Sequence, residues 1–272
     1  MPEEKNQTCR LPTYEAMLKK RFGDERAFSN RIFKCGDMHR QWRRSCATVR
    51  IVLRIGGSVV ASPINPELIG EYADMIKTLG TQGHQIVVVV GGGALAREFI
   101  GVAKDLGLNQ DAQDGIAIGV SRLFAQLLLK RIGSIGCDHV SLSVEEAVNC
   151  TNEGKIAVMG GLKPGMTTDT VAAMTAQASN ADLLIKATDQ EGIFDKDPKK
   201  HPDAKKLDHL KLEDLTRVCV QDKHEAGIHQ IVDPEAIKIL KRARVKFIVV
   251  NGFKAKNVPA AIRGDRIGTL ID

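Results

Sequence analysis

Three glycine-rich segments each follow a short apolar run. They are Gly56-Gly57-Ser58 after residues 49–55, Gly91-Gly92-Gly93 after residues 85–90, and Gly160-Gly161 after residues 155–159. Glycine lets a backbone approach a phosphate closely and take positive φ, so glycines that follow buried strands indicate phosphate-binding loops. One such segment alone could equally be a tight turn. Three together favour a phosphorylated ligand.

Charged and hydroxyl side chains accompany these loops. Arg54 lies two residues before the first glycine, Arg97 lies just beyond the second loop, and residues 162–169 add a proline, two threonines and an aspartate. Phosphoryl transfer requires that two phosphates are aligned and that the charge between them is neutralised. These residue types suit that task. The sequence has no GxxxxGK[ST] motif, GGGALA does not fit GxGxxG, and Val90 stands where a dinucleotide-binding fold places an acidic residue.

Short β-branched runs alternate with longer helical segments from residue 49 onward, as is typical of βαβ units around a mostly parallel sheet. Strands are predicted at 49–55, 85–90, 155–159, 181–186, 246–250 and 267–271. Helices are predicted at 66–79, 94–106, 115–131, 169–178 and 233–242. Ligands of such sheets bind beyond the carboxyl ends of the strands. The sequence therefore predicts an α/β fold with its glycine loops at one edge of the sheet.

The positive charge of the chain is concentrated at its N-terminus. The sequence has 272 residues, of which 43% are hydrophobic and 26% charged, with a net charge of +6. Residues 1–48 contain 11 Lys or Arg and 6 Asp or Glu, so they carry nearly all of the surplus. Because the remainder is almost neutral, the charge does not indicate a nucleic-acid partner.

Neither a membrane segment nor a zinc site is predicted. No apolar run approaches the roughly 20 residues that span a bilayer, and the first residues are charged and lack the apolar centre of a signal peptide. The cysteines show no CxxC or Cys/His zinc spacing. We therefore expect no membrane partner, a cytoplasmic location, reduced thiols, and packing roles for Cys137, Cys150 and Cys219.

Six segments occur in a characteristic order. They are IGGS (55–58), VVVGGGALAR (88–97), MGGLKPGMTTD (159–169), ATDQEGIFDKDP (187–198), VDPEAIKIL (232–240) and GDRIGTLI (264–271). Together they resemble the amino-acid kinase superfamily and, within it, the archaeal type of UMP kinases (uridylate kinases). The resemblance covers residues 49–272. It implies a three-layer αβα sandwich with a mostly parallel central sheet, preceded by an N-terminal extension, residues 1–48, that the family lacks.

The resemblance also implies an activity, the transfer of the γ-phosphoryl group of Mg-ATP to UMP in pyrimidine nucleotide biosynthesis. Asp169 would orient the catalytic cationic groups, and Arg54 would be a transition-state cation. The residues implied to bind ATP are Gly56, Gly57, Ser58, Gly93, Arg97, Thr188, Asp189, Phe194 and Asp197. Those implied to bind UMP are Gly92, Asp114, Leu162, Lys163, Pro164, Gly165, Met166, Thr167 and Thr168. Mg²⁺ is expected with ATP, and no set of protein metal ligands is predicted.

Several residues keep an alternative interpretation. Asp114 and Asp169 could each be a helix N-cap, and Arg54, which stands where many superfamily members have lysine, could be a strand residue that points to solvent. Lys163 and Lys238 are further candidates for positive charge near the phosphates. Phe194 replaces a common tyrosine and Asp189 a common asparagine.

Other functions within the superfamily remain open. One is a carbamate, acetylglutamate or isopentenyl phosphate kinase, and another is a non-catalytic nucleotide-binding protein of the molybdenum storage type. The resemblance further implies a homohexamer and feedback inhibition by UTP. We expect residues 1–48 to be poorly ordered, and to be either an appended segment or the product of a start upstream of the codon for Val49.

Overall fold

The structure of the chain is a computed structural model that describes residues 48–196, 198, 200–215 and 232–272. Residues from Thr48 onward form one compact unit. The predicted extension therefore lies outside the described residues except for Thr48. Asp197 and Cys219, which the sequence analysis names, also lie outside them.

A seven-stranded sheet forms the centre of the fold. The described strands are β1 (Arg50–Ile55), β2 (Gln85–Val90), β3 (Ala157–Met159), β4 (Leu183–Thr188), β5 (Ile193–Phe194), β6 (Lys206–Leu207), β7 (His209–Leu210), β8 (Lys246–Asn251) and β9 (Thr269–Ile271). The sheet has the order β3-β2-β1-β4-β8-β9-β7, and its first five strands are parallel. Strand β9 runs antiparallel to β8, and β5 pairs with β6 in a separate hairpin. The predicted mostly parallel sheet is confirmed.

Helices cover both faces of the sheet. The described α-helices are α1 (Gly57–Val60), α2 (Pro66–Thr81), α3 (Gly93–Asp105), α4 (Gln110–Ile132), α5 (Val144–Asn152), α6 (Thr168–Ala178), α7 (Pro234–Ala243) and α8 (Asn257–Arg263). One apolar cluster joins the sheet to α1, α2, α4 and α8, and a second joins its other face to α5, α6 and α7. This arrangement confirms the three-layer αβα sandwich. In the described part of the chain, no helix is long and apolar enough to cross a membrane.

Strand β1 shows why these sequences form the central strands. Ile51, Leu53 and Ile55 belong to one apolar cluster, whereas Val52 belongs to the cluster on the opposite face. A strand covered by helices on both faces needs apolar residues at consecutive positions rather than at alternate ones. The continuous runs of the sequence thus determine which strands are central.

The long helix α4 begins earlier than the sequence predicts. It starts at Gln110, because the side chain of Asn109 accepts a hydrogen bond from the Ala112 N–H and caps it. The prediction that Asp114 begins this helix is therefore wrong, and so is its interpretation as an N-cap. Asp114 lies in the second turn, where its carboxylate is available to a neighbouring loop.

Helix α5 is absent from the predicted elements, although its start has a recognisable signal. Ser143 is followed three residues later by Glu146, and the Ser143 side chain accepts a hydrogen bond from the Glu146 N–H. This spacing is that of a capping box. The helix is short and buries only Ala147, Cys150 and Thr151, so few apolar residues mark it in the sequence.

Two of the cysteines lie together. Cys137 and Cys150 have their sulfurs in direct contact and their Cα atoms 6.3 Å apart, a separation that a disulfide can bridge. The expectation of separate, reduced packing thiols is therefore corrected for these two residues. They link the segment before β3 to helix α5.

Candidate active site

Two glycine loops meet at the carboxyl edge of the sheet. A Cβ atom on Gly57 would lie 2.0 Å from the Gly93 nitrogen, and Gly93 itself has φ of +63°. The hydroxyl of Ser62 joins the loops, because it accepts a hydrogen bond from the Ala94 N–H at 2.5 Å and donates one to the Gly57 carbonyl at 3.2 Å. Glycine is required at both positions, since any larger residue would separate the two backbones.

Three charged side chains form a cluster beside these loops. The Nε atom of Arg54 lies 2.8 Å from Oδ1 of Asp169, and the Nζ atom of Lys186 contacts Oδ2 of the same carboxylate. The side chains of Arg54, Asp169 and Lys186 are only 16%, 13% and 5% exposed. The Nε–Oδ1 contact lacks hydrogen-bond geometry, so charge attraction rather than a directed hydrogen bond joins these two atoms. One carboxylate thus holds two cations.

The sheet register brings the two cations together. Arg54 and Lys186 are direct partners on the adjacent parallel strands β1 and β4. Register partners point to the same face of a sheet, so their side chains emerge side by side. Asp169 comes from the second residue of α6, whose N-cap is Thr167, which accepts a hydrogen bond from the Thr170 N–H at 3.1 Å. The N-cap alternative for Asp169 is therefore wrong.

The charges of the cluster shift its protonation equilibria. Burial alone would raise the pKa of Asp169, but the positive charges of Arg54 and Lys186 outweigh burial and lower the pKa below its ordinary value. Burial lowers the pKa of Lys186, and attraction to Asp169 opposes this shift only in part. Asp169 is therefore ionised at neutral pH, and its charge favours the protonated form of Lys186.

The guanidinium of Arg54 extends to the glycine loops. Its terminal nitrogens lie 3.0 Å from the position that a Cβ on Gly56 would occupy and 3.6 Å from the corresponding position on Gly91. A further hydrogen bond joins Nη2 to the Thr168 hydroxyl at 3.1 Å. The alternative in which Arg54 points to solvent is therefore wrong. Its positive charge lies between the glycine loops and the start of α6.

Asp233 anchors the start of α6 to the start of α7. Its Oδ2 atom accepts hydrogen bonds from the hydroxyls of Thr167 and Thr170, both at 2.5 Å, while Oδ1 accepts one from the Glu235 N–H at 3.0 Å. One carboxylate thus fixes two helix N-termini. The sequence analysis does not name Asp233 as a site residue, although the VDP sequence signals a helix N-cap followed by proline.

The loop of residues 162–168 lies against helix α4. The carboxylate of Asp114 accepts a hydrogen bond from the Gly165 N–H at 2.7 Å, and Gly165 has φ of +74°. A turn within the loop is closed by the Met166 N–H, which donates to the Lys163 carbonyl at 3.2 Å. Lys163, Pro164, Gly165 and Thr167 are exposed, so this loop can meet a ligand.

Residues of the fourth predicted loop lie beyond β4. Thr188 ends that strand, is buried, and donates a hydrogen bond from its hydroxyl to Asp189 at 3.1 Å. Phe194 lies half-buried in the hairpin of β5 and β6. On the neighbouring strand, the Asn251 side chain donates a hydrogen bond to Glu191 at 2.8 Å. This loop therefore adjoins the end of β8.

Of the candidate cations, the structure brings Arg54 into the cluster and leaves the two predicted lysines outside it. Lys163 is exposed in its loop, and Lys238 donates a hydrogen bond to Glu235 at 3.0 Å on the surface of α7. Arg97 is exposed on α3. Lys186 is the cation that the sequence analysis misses, and its signal is a lysine inside the otherwise apolar run LLIKA.

The described residues contain no group of three or more His, Cys, Asp or Glu side chains that could hold a metal ion. The one carboxylate in the cluster, Asp169, already contacts two cations.

The sequence and the structure of this chain were compared with known proteins, and the two comparisons agree. The model of the amino acid kinase family matches residues 49–251. Uridylate kinase of Methanocaldococcus jannaschii is 42% identical over 226 residues, which cover 82% of this chain and 100% of that protein. The crystal structure of uridylate kinase from Archaeoglobus fulgidus is 36% identical with a TM-score of 0.74, covering 82% of this chain and 99% of that one. UMP kinase from Bacillus anthracis, 21% identical over 83% of this chain and 97% of its own, has the same fold with a TM-score of 0.71. The similarity therefore concerns whole proteins rather than one motif.

Proposed function

This chain belongs to the amino acid kinase family, and we propose on that premise that it is a UMP kinase, which transfers the γ-phosphoryl group of Mg-ATP to UMP and releases ADP and UDP. The observation that carries the proposal is the cluster of Arg54, Asp169 and Lys186 at the edge where the glycine loops meet the loop of residues 162–168. The full-length similarity to archaeal uridylate kinases supports UMP as the acceptor.

In this proposal ATP binds at the two interlocked glycine loops. The backbone N–H groups of Gly57, Ser58 and Gly93 donate to its phosphates, and Arg97 adds a charge-assisted contact. Gly56 lies beside the phosphates, while its own N–H donates to the Ala187 carbonyl at 2.8 Å. Mg²⁺ enters as part of the substrate Mg-ATP, since it prefers substrate phosphates and water as ligands. The adenosine lies beyond β4, and the residues proposed to hold it are Thr188, Asp189, Phe194 and Asp197.

The acceptor UMP lies against the loop of residues 162–168. The exposed backbone of Lys163, Pro164 and Gly165 and the hydroxyls of Thr167 and Thr168 face it, with Gly92 on the phosphate side. Leu162 and Met166 pack partly against the apolar core and so fix the two ends of the loop. Asp114 accepts a hydrogen bond from the ribose, for which it exchanges or shares its present Gly165 N–H contact.

Charge neutralisation is the catalytic task of the cluster. As the γ-phosphoryl group moves, Arg54 and Lys186 stabilise the negative charge on its oxygens, and Asp169 holds both cations in position. Asp169 acts as an orienting group rather than as a proton acceptor, because its lowered pKa makes it a weak base. In this proposal Arg54 takes the place of the lysine found in many superfamily members, and Lys186 is the second cation.

The experiment that tests this function measures ADP release by the recombinant protein with Mg-ATP and one acceptor at a time. The acceptors are UMP, CMP, AMP, carbamate and isopentenyl phosphate, which also test the alternative kinases. We expect turnover with UMP well above every other acceptor. Rapid turnover with another acceptor would replace the proposal, and nucleotide binding without any turnover would favour a storage protein. Addition of UTP to the UMP reaction tests the proposed feedback inhibition.

We propose that the protein forms a homo-oligomer, with a hexamer as the expected state. The outer faces of α3 and α4 carry exposed apolar side chains, and the two helices pack side by side. These side chains are Phe99, Val102, Leu106, Leu123 and Leu127. An apolar patch of this kind is typical of a surface that a second copy covers. Leu127→Glu should shift the mass measured by light scattering toward the monomer, whereas Leu142→Glu, an exposed leucine next to α5, should not.

The proposed reaction takes place in the cytoplasm, because it uses cellular ATP. Fractionation of the natural host, with the protein detected by antibody, should recover it with cytoplasmic enzymes. Recovery outside the cytoplasm would contradict this location without affecting the proposed reaction.

A further inference from the structure

The loop of residues 162–168, which we assign to UMP, is called the acceptor loop below. Helix α4 holds its start, at Gly161 and Leu162, through two neighbouring side chains. Ser121 accepts a hydrogen bond from the Gly161 N–H at 2.8 Å. Arg122 donates from Nε to the Gly161 carbonyl and from Nη2 to the Leu162 carbonyl, both at 3.0 Å. Neither side chain belongs to the sites described so far.

These hydrogen bonds fix the direction of two successive peptide groups. In a trans peptide the N–H points opposite to the C=O, so carbonyls that face Arg122 turn the N–H groups of Leu162 and Lys163 away from α4. Within the described residues, neither N–H donates a hydrogen bond. Two adjacent, unused backbone donors thus line the loop that we assign to UMP.

An arginine suits this task better than any other residue. Its planar guanidinium offers several N–H donors in a fixed arrangement, which matches two neighbouring carbonyls, whereas a lysine offers one compact ammonium group. Arg122 is partly buried, and no carboxylate among the described residues forms an ion pair with it. Its positive charge beneath the acceptor loop is therefore not neutralised by a carboxylate of the described residues.

We infer that Arg122 is a positioning residue for the acceptor nucleotide: it orients the Gly161–Leu162 backbone so that the N–H groups of Leu162 and Lys163 bind UMP. This inference rests on the proposed function, since it names the residue that prepares the UMP subsite. Arg122 does not touch the reacting atoms. Its removal should weaken acceptor binding far more than it affects ATP binding.

The test compares the full chain with Arg122→Gln, Arg122→Lys and the control Arg131→Gln. Arg131 lies on the same helix but is exposed, and its ion pair with Asp74 lies away from the loop. Steady-state kinetics give KM for UMP and for ATP separately. Hydrogen exchange of the peptide that contains residues 160–166, measured without nucleotide, reports the order of the loop independently of activity.

We expect Arg122→Gln to raise KM for UMP about tenfold while KM for ATP changes less than about twofold. Arg122→Lys should restore only part of this loss, because a compact ammonium group does not match two neighbouring carbonyls as the planar guanidinium does. Exchange in the loop peptide should accelerate in Arg122→Gln and remain unchanged in Arg131→Gln.

Equal increases in both KM values, or unchanged exchange in the loop peptide, would overturn the positioning role. A merely structural role would lower the melting temperature without this split between the two substrates. Failure of the proposed function can be distinguished from failure of this inference, because the unmodified protein would then not turn over UMP. Faster exchange of the loop in Arg122→Gln would then still show that Arg122 orders it.

Discussion

At the scale of single residues, the proposed chemistry depends on one carboxylate between two cations. Arg54 and Lys186 come from adjacent strands, and mutual repulsion would separate them without Asp169. The carboxylate offsets that repulsion and the cost of burying the charges. The pair of cations can then concentrate positive potential at the sheet edge, where the proposed transfer occurs.

Replacement of Asp169 by Asn should lower kcat with UMP by about a hundredfold or more while KM for UMP changes less than about threefold. The amide keeps the shape of the side chain but no longer balances two buried cations, so the free energy of unfolding should fall by about 3 kcal/mol. Steady-state kinetics and thermal unfolding measure the two effects. The control is Asp74→Asn, an exposed carboxylate on α2. An unchanged kcat would remove Asp169 from the catalytic cluster.

The lowered pKa of Lys186 predicts the alkaline limit of activity. Because transfer needs the protonated amine, kcat should fall as pH rises through a value below the ordinary lysine pKa of 10.5. Between the lowered pKa of Lys186 in the folded protein and its ordinary value, the unfolded chain binds the proton more tightly. The contribution of Lys186 to the free energy of unfolding therefore rises with pH in this range, so unfolding does not explain the loss of activity. In Lys186→Arg the limit should move to higher pH, since the guanidinium stays charged. The substrates titrate in the same way with the unmodified protein and with Lys186→Arg, so they cannot cause a difference between the two pH profiles. Identical profiles would contradict the assignment of the alkaline limit to Lys186.

At the scale of elements, the loops proposed to bind the substrates lie between strands and helices, and neighbouring elements hold them in place. Ser62 joins the first two glycine loops, Asp233 joins the starts of α6 and α7, and α4 supports the acceptor loop at Asp114 and Arg122. Each support comes from a segment distant in sequence. The positions of the site loops therefore depend on contacts with several other elements rather than on the loops alone.

Gly93→Ala should disrupt the junction of the glycine loops. Its φ of +63° is unfavourable for alanine, and the added Cβ would lie 2.3 Å from the Gly57 carbonyl oxygen. We expect a loss of at least about 2 kcal/mol of stability and a large increase in KM for ATP. Thermal unfolding and kinetics against ATP concentration give both quantities.

Gly101→Ala provides a control on the same helix. A Cβ at Gly101 meets no atom within 4 Å, and its φ is not positive. Alanine favours a helix interior by up to about 1 kcal/mol over glycine, so this variant should be equally or more stable with normal KM for ATP. Equal losses in the two variants would show that the tight loop junction is not the cause.

At the scale of the whole molecule, one compact unit of residues from Thr48 onward carries both proposed binding sites. The two apolar clusters lie on opposite faces of the central sheet, so strands and the helices of both faces fix the site together. The basic N-terminal segment is separate from the residues that match the amino acid kinase family, which begin at residue 49. We propose that this segment is dispensable for catalysis.

A truncated variant that begins at Val49, with an added initiator methionine, should therefore retain kcat and both KM values within about twofold of the full chain. Most of the surplus positive charge is lost with residues 1–48, so the isoelectric point should fall from about 9.0 toward neutrality. Kinetics and isoelectric focusing test both expectations. A large loss of activity in a folded truncated protein would assign the segment a functional role.

The sequence by itself determines the fold class, the positions of the main strands along the chain and the glycine loops that follow them. It does so because apolar runs, helix periodicity and glycine after a buried strand are local properties. The strand at 85–90 and the glycine loops are therefore predicted correctly. Helix α5, which buries only three residues, and the short hairpin of β5 and β6 are not predicted, because their formation depends on neighbouring elements.

Only the tertiary structure decides which charged residues act together. The local sequence does not decide whether Arg54 is exposed or buried, and it allows Asp169 to be a helix N-cap. It also gives no reason to pair Lys186 with Arg54 or with Asp169. The register of β1 with β4 and the approach of α6 bring these three side chains into contact. Charge interactions fall off steeply with distance and strengthen on burial, and both quantities depend on segments that are far apart in the chain.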